Sequence, residues 1–354
     1  MTQTENRKFD TIIIGSGLGG LSCAAILAKK GYKVAVFERH YIPGGYCTSF
    51  KRKKFVFDAS LHQVSGCEPG GLLYNVLEEA GAEKYVEFIK IDPLTKIIAK
   101  NYEFEVPQDK DEYIRRLCEK FPEEAKNIRK YFKYNQKIFK FVKKYCNLIG
   151  FKKVLYILRH IRKAFQILWL TRKTLQEILD RFIKNKEAQE IISHLWGFLG
   201  LAPRNLSYIY FTVGISAYVE EGTFYPKGGS QQISNAFVKA MKENGGKLFL
   251  KKEVQEILIE KKKVKGIKLK NGDIYKAPIV VSNADALVTF NKLIDSKHLP
   301  NKSRKVNKMT PSLSAVCAYL GLDVDIKDLG IDHFDIVVNK SEDADSYYKE
   351  IIDG

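Results

Sequence analysis

At 354 residues, with 45% apolar and 28% charged side chains, the sequence is long enough for two domains with cores of their own. That balance excludes a disordered tail and a collagen-like fibre. The net charge of +18 asks for an anionic partner or surface, and the six cysteines stand at irregular spacings without a C-x-x-C pair. The expectation is reduced thiols in the cytoplasm, with no disulfide framework and no metal site.

Arg7 and Lys8 before the run Thr11–Ala28 have the outline of a signal peptide. Glycines and serines interrupt that run and no small-x-small cleavage site follows, so the expectation is an unprocessed N-terminus. Asp10–Ile14 predicts a short buried strand, and Gly15-Ser16-Gly17-Leu18-Gly19-Gly20 follows it at once, matching G-x-G-x-x-G. Leu21–Lys30 predicts a helix closed by Gly31, and Lys33–Glu38 a second strand ending in an acid. This order is that of a dinucleotide-binding unit. Gly15 permits the tight turn, Gly17 lets the backbone approach a pyrophosphate, Gly20 allows helix to pack on strand, and the helix N-terminus offers free N–H groups. Glu38 stands where a carboxylate accepts hydrogen bonds from a ribose. The predicted cofactor residues of this segment are Gly15, Ser16, Gly17, Leu18, Gly19, Gly20, Glu38 and its neighbour Arg39. A second glycine pair, Gly44-Gly45, comes shortly after.

The middle block, residues 90–220, begins with a hairpin over Lys96–Val106 and is then largely helical. Between Lys126 and Lys173 it holds 15 Lys or Arg and no Asp or Glu, nearly all of the net charge. Helical spacing places Ile128, Tyr131, Phe132, Ile138, Phe139, Val142, Tyr145 and Ile149 on one stripe, with Lys130, Lys133, Lys137, Lys140 and Lys144 opposite. After Gly150, the residues Val154, Leu158, Ile161, Phe165 and Leu168 continue the pattern. Three readings stay open: a core-packed helix pair with a solvated basic face, docking on an anionic membrane, and nucleic-acid binding. Nucleic acid ranks last because no recognition motif accompanies the charge. The longest uncharged stretch, Asn205–Val219, is too short and too polar to span a bilayer. Further on, Ser230 can cap a helix through Met241, Asn244-Gly245-Gly246 closes it, and Asn271-Gly272 reads as a hairpin turn. The tail predicts strands at Leu313–Leu320 and Phe334–Val338.

The blocks Ile14–Ser22, Pro43-Gly44-Gly45, Phe57-Asp58…His62…Gly66, Tyr225-Pro226-Lys227-Gly228-Gly229 and Ser282-Asn283-Ala284-Asp285 together resemble one family. It is the FAD-dependent phytoene desaturase, carotenoid isomerase and retinol saturase group, and the resemblance runs along essentially the whole chain. It implies an α/β fold in which a Rossmann-type FAD-binding domain (1–89 and 221–293) is interleaved with a mixed α+β substrate domain (90–220 and 294–354) bearing the basic helical block. It implies FAD as cofactor, with Gly44 and Gly45 close to the flavin and ribityl chain and the backbone of Val254 near the adenine. Asp58 and His62 become candidates for facing the isoalloxazine or the substrate entrance. The implied substrate is an apolar polyisoprenoid or retinoid, altered by desaturation, saturation or isomerisation, with peripheral membrane association. Leu155, Leu158, Ile161, Leu168, Trp169, Leu195, Trp196, Phe198 and Leu199 are available to line an apolar tunnel or to fill a core. Members of the group run on beyond a region like Tyr347–Gly354 into a late glycine-rich segment without an equivalent here, so the sequence reads as C-terminally short. Two alternatives stand beside this one. An amine oxidase-like flavoenzyme would favour Arg after the glycine pair, where Tyr46 stands, and a non-catalytic membrane-surface protein would keep the nucleotide fold alone.

Overall fold

The computed structural model describes residues 7–295, 297–309, 314–331, 334–339 and 343–353. By packing, the chain divides into two units: Met1–His62, Leu73–Ile89 and Tyr225–Pro311 form the first, and Gln63–Leu72, Lys90–Phe224 and Ser312–Gly354 the second. The expected domain limits differ from this division at 63–72, 221–224 and 294–311. The last of these segments stays with the first unit because the helix Pro300–Val306 is tied back to it, Ser303 Oγ donating to Phe290 O at 2.8 Å.

The first unit is built on a four-stranded sheet. Strand β1 (Thr11–Ile14) lies between β2 (Val34–Phe37) and the strand Ile279–Ser282, and Lys247–Phe249 extends the far edge of β2. All three pairings are parallel, with Ile14 opposite Phe37 on one side and Ser282 on the other. The strands β1 and β2 are wholly buried, as continuous β-branched and apolar runs covered on both faces should be. Helix α1 (Leu18–Lys29) crosses between them and packs with the helix Gln231–Glu243, and it ends as expected at Gly31, whose φ is +88°. A three-stranded antiparallel sheet of Val254–Glu260, Lys263–Leu269 and Ile274–Lys276 adds the core of Phe9, Ile257, Ile267 and Tyr275. Its second turn passes through Gly272 at φ +88°, as Asn271-Gly272 predicts.

The second unit is mostly helical. The hairpin of Thr95–Ala99 and Glu103–Val106 is present, joined in parallel by Ile336–Asn339. Ser314–Leu320 form no strand: Val316 and Leu320 are exposed instead of buried, and Leu313 lies outside the described residues. The long helix Ala125–Cys146 follows the expected stripe for most of its length. Ile128, Tyr131, Phe132, Ile138 and Phe139 are buried, and Lys130, Lys133, Lys137, Lys140 and Lys144 are exposed. It is locked to the helix Tyr208–Glu220 by buried Asn135, which accepts from Tyr208 Oη at 3.1 Å and Thr212 Oγ1 at 2.8 Å and donates to Ser216 Oγ.

After Gly150 the stripe stops being a core. On the helices Phe151–Arg159 and Ile161–Leu170, Phe151 is 76% exposed, Leu158 61% and Phe165 64%, with Val154, Leu155, Ile161, Leu168 and Trp169 also exposed. A core-packed helix pair therefore accounts for Ala125–Cys146 and not for the two helices that follow. Among the other apolar residues set aside for a tunnel or core, Leu195 is buried, Trp196 and Leu199 are half-buried and Phe198 is exposed.

Within this unit His194 is fully buried. Its Nδ1 hydrogen-bonds Ile191 O at 2.8 Å and its Nε2 has no partner among the described residues. Burial pushes its pKa down to about 4 against the hydrogen bond to Ile191, which raises it. The native state therefore holds a neutral ring that the unfolded chain would protonate below about 6.5. Stability is expected to be complete above that value and to be lost progressively as the pH falls towards 4. Urea titrations at pH 7 and pH 5 check this. His194→Phe should flatten the difference, and an equal loss in that variant would assign the acid sensitivity elsewhere.

Candidate functional site

The glycine loop sits at the carboxyl end of β1. Gly15 N–H donates to Phe37 O at 2.9 Å, turning the chain at φ +91° into α1, whose N-cap is Gly17. A Cβ on Gly20 would lie 2.2 Å from Gly15 O, so helix and loop can approach this closely only with glycine there. The first turn of α1 contains no acidic residue, which leaves its N–H groups and the positive end of the helix dipole without a built-in counter-charge. Ser16 is buried, Gly17 and Leu18 are half-buried, and Gly19 is exposed.

Glu38 stands half-buried at the end of β2. One carboxylate oxygen accepts from Ser16 N–H and Ser16 Oγ, both at 2.8 Å, and the other from His40 N–H at 2.8 Å. Burial raises its pKa, but the hydrogen bonds from Ser16 and His40 outweigh it and hold the group below its ordinary value. A carboxylate offers about four lone-pair positions. Three are taken, and the remaining one can accept from a hydroxyl. Arg39 is exposed beside it. The segment leading to Val254 runs along Glu38 and His40, with Lys252 N–H donating to Glu38 O at 2.8 Å and Lys251 N–H to His40 O at 3.0 Å. The Val254 side chain itself is buried in the core with Ile257 and Leu269.

The second glycine pair lies directly on the first loop. Gly44 N–H donates to Ser16 O at 2.9 Å, and a Cβ on Gly45 would come within 3.2 Å of Gly17 Cα. Gly44 adopts φ +126°, and a Cβ there would sit 2.4 Å from Cys47 O. The loop is clamped from behind by the helix Gln231–Glu243: Gln231 Nε2 donates to Pro43 O at 3.0 Å and Ser234 Oγ to Cys47 O at 2.7 Å. Cys47 itself is buried, donates to Ser230 O, and has its thiol pKa pushed up to about 11 chiefly by burial, so it is no nucleophile.

Among the described residues no hydrogen bond joins Asp58 to His62. Both Asp58 oxygens are engaged: they accept from Ser49 Oγ, from Ser230 N–H and Oγ at 2.9 Å each, and from Tyr225 Oη. The Tyr225 hydroxyl is pushed well above its ordinary pKa, by burial first and then by the adjoining carboxylate. Ser230 thus spends its hydroxyl on Asp58 and makes no side-chain cap on the helix it precedes. His62 is exposed. Sequence reading missed this latch and also Asn283, which lies over the glycine loop. The signal for both was present in the Tyr225–Gly229 and Ser282–Asp285 blocks, without the geometry that relates them to the N-terminal loops.

The residues present fit FAD. Gly17 carries no side chain and the atom nearest a Cβ built there is the end of the Asn283 side chain, not backbone, so its backbone stays approachable. Helix α1 offers donors to a diphosphate, and an ionised Glu38 suits a ribose hydroxyl and repels a ribose phosphate.

Comparison with known proteins agrees with this geometry. Residues 13–80 match the family described as an NAD(P)-binding Rossmann-like domain. The all-trans-retinol 13,14-reductase of Homo sapiens is 29% identical over 355 residues, covering 96% of this chain and 58% of that protein. The chloroplastic prolycopene isomerase of Daucus carota is 28% identical over 331 residues, covering 91% of this chain and 53% of that one. Along nearly its whole length this chain is similar to retinol reductases and prolycopene isomerases. It spans little more than half the length of these relatives. Among solved structures, an oxidoreductase from Methanosarcina mazei superposes with a TM-score of 0.58 at 23% identity, over 86% of this chain and 66% of that one, and shares the fold.

Proposed function

We propose that this chain works as a FAD-dependent oxidoreductase on an apolar conjugated polyene of the retinoid or carotenoid kind, by saturation, desaturation or flavin-dependent isomerisation. The observation that carries the reading is homology to a retinol reductase and a carotenoid isomerase along nearly the whole chain, joined to a glycine cradle that fits the cofactor. A bound flavin supplies the electron or hydride transfer. The chain's own residues hold and aim it: α1 and the glycine loop take the diphosphate, Glu38 the ribose, and the Gly44-Gly45 loop carries the backbone towards the ribityl chain.

A polyene dissolves in membranes and not in water, and the second unit carries a surface suited to reaching it. Among the described residues no helix is long and apolar enough to cross a membrane. The two helices after Gly150 nevertheless expose Phe151, Leu155, Leu158, Phe165 and Trp169 beside Lys152, Lys153, Arg159, Arg162 and Lys163, with no acid on either helix. Apolar groups that enter the headgroup boundary, flanked by cations worth about 1 kcal/mol each near anionic lipid, make an interfacial anchor. The proposed docking surface is the segment after Gly150 and not the whole of 126–173, with peripheral attachment, because the exposed apolar residues lie there.

The test is conversion of a polyene embedded in anionic vesicles by the flavin-loaded chain, read from the polyene's absorption spectrum. The expected outcome is a shifted spectrum with wild type, and at least a tenfold loss of both vesicle binding and conversion in a Leu158→Glu, Phe165→Glu double variant, since a charge placed in the bilayer costs about 2.5–3.5 kcal/mol at the centre and less near the surface. Bound flavin with no change in any polyene would favour the non-catalytic reading.

A further inference from the structure

The Asn283 carboxamide lies across the cofactor loop. Asn283 follows the strand Ile279–Ser282, and its N–H donates to Ile14 O at 2.8 Å, which seats the residue beside Gly15. From there its side chain extends over the start of α1. A Cβ built on Gly17 would lie 2.9 Å from Asn283 Nδ2, and one on Gly19 would lie 2.8 Å from Asn283 Oδ1. The second glycine of this fingerprint is bare so that a pyrophosphate can come close to its backbone. The amide nitrogen of Asn283 therefore stands at the edge of the space that the diphosphate approaches.

Two further observations bear on its role. Asn283 is exposed, and its carboxamide has no hydrogen-bond partner among the described residues, so the core does not hold it in place. The loop from Gly15 to Gly20 has no basic side chain, and the nearest ionised group placed on it is the carboxylate of Glu38. What this loop itself offers a diphosphate is neutral donors: the N–H groups of α1 and any amide that reaches them.

We propose that Asn283 is a cofactor-binding residue whose side-chain N–H donates to the diphosphate of FAD. The proposal rests on the assignment of this cradle to FAD. An aspartate at 283 removes the donor and sets a second negative charge beside Glu38 and the diphosphate. An alanine or serine removes the amide without adding charge.

The experiment is titration of the apoprotein of this chain with FAD, followed by quenching of flavin fluorescence, with the melting temperature of each apoprotein as a control. Asn283→Ala and Asn283→Ser are expected to weaken binding about tenfold and Asn283→Asp about a hundredfold, the range for a lost hydrogen bond to a charged group and for an added repulsion. The apoprotein melting temperatures should not move, because the residue is exposed and its carboxamide bonds none of the described residues. Should the aspartate variant not fold, the serine variant decides. Wild-type affinity in the serine and aspartate variants would overturn the role of Asn283 while leaving the cradle intact. Failure of the unaltered chain to bind FAD would overturn the cofactor assignment and the role of Asn283 together.

Discussion

Gly17→Leu is expected to yield a folded protein that binds FAD at least about a hundredfold more weakly than the unaltered chain. Gly17 has φ −61° and ψ 167°, an ordinary extended conformation that leucine adopts without strain. The nearest atom to its added Cβ is the terminal amide of Asn283, which can swing away. What leucine fills is the approach to the first turn of α1, and loss of two hydrogen bonds to a charged diphosphate accounts for a factor of that order. The melting temperature of the apoprotein should therefore stay close to that of wild type while flavin retention through gel filtration disappears. Gly44→Val is the useful contrast. Its φ of +126° and the 2.4 Å approach to Cys47 O put the clash on backbone, so that variant should fail to fold. Undiminished flavin in Gly17→Leu would mean that the cradle is not where the diphosphate lies.

Asp58→Ala is expected to cost about 3 kcal/mol of folding stability, measured by denaturant titration, because it strands the hydroxyls of Ser49, Ser230 and Tyr225 and the N–H of Ser230 in a partly buried site. The carboxylate pins the strand Phe55–Asp58 to the turn that opens the helix Gln231–Glu243, and that helix in turn clamps the Gly44 loop. Asp58→Asn keeps one acceptor and should cost less, about 1–2 kcal/mol. A catalytic Asp58 would give the opposite pattern, with stability retained and turnover lost. Both its oxygens are engaged by Ser49, Ser230 and Tyr225, an arrangement that fits a positioning role towards the glycine loops.

The nucleotide unit was legible because its signals are local. Gly15, Gly17 and Gly20 fall within one turn and the start of one helix, Glu38 ends the next strand, and the apolar runs of β1 and β2 are buried on both sides. The turn at Gly272 and the helix ending at Gly31 were legible for the same reason, each needing only a positive φ at one residue. What the sequence concealed lies far apart along the chain. Asp58 meets Tyr225 and Ser230 across separations of 167 and 172 residues, and no periodicity relates them. Asn283 reaches Gly17 only because the strand before it pairs with β1 in register. The helices after Gly150 show a different failure. Spacing marks an apolar face but not what covers it, and the same stripe that is core in Ala125–Cys146 is exposed in Phe151–Leu170. The hydroxyl of Ser230 shows a third, because a residue of the right type for a helix cap was taken by a stronger acceptor.

The cradle formed by Ser16, Gly17, Glu38 and Gly44 stands or falls on the visible absorption spectrum of the purified, flavin-reconstituted chain, recorded before and after dithionite. A tightly held flavin, retained through gel filtration and bleached on reduction, is the predicted result. A colourless protein that takes up a nicotinamide dinucleotide and refuses FAD would contradict it.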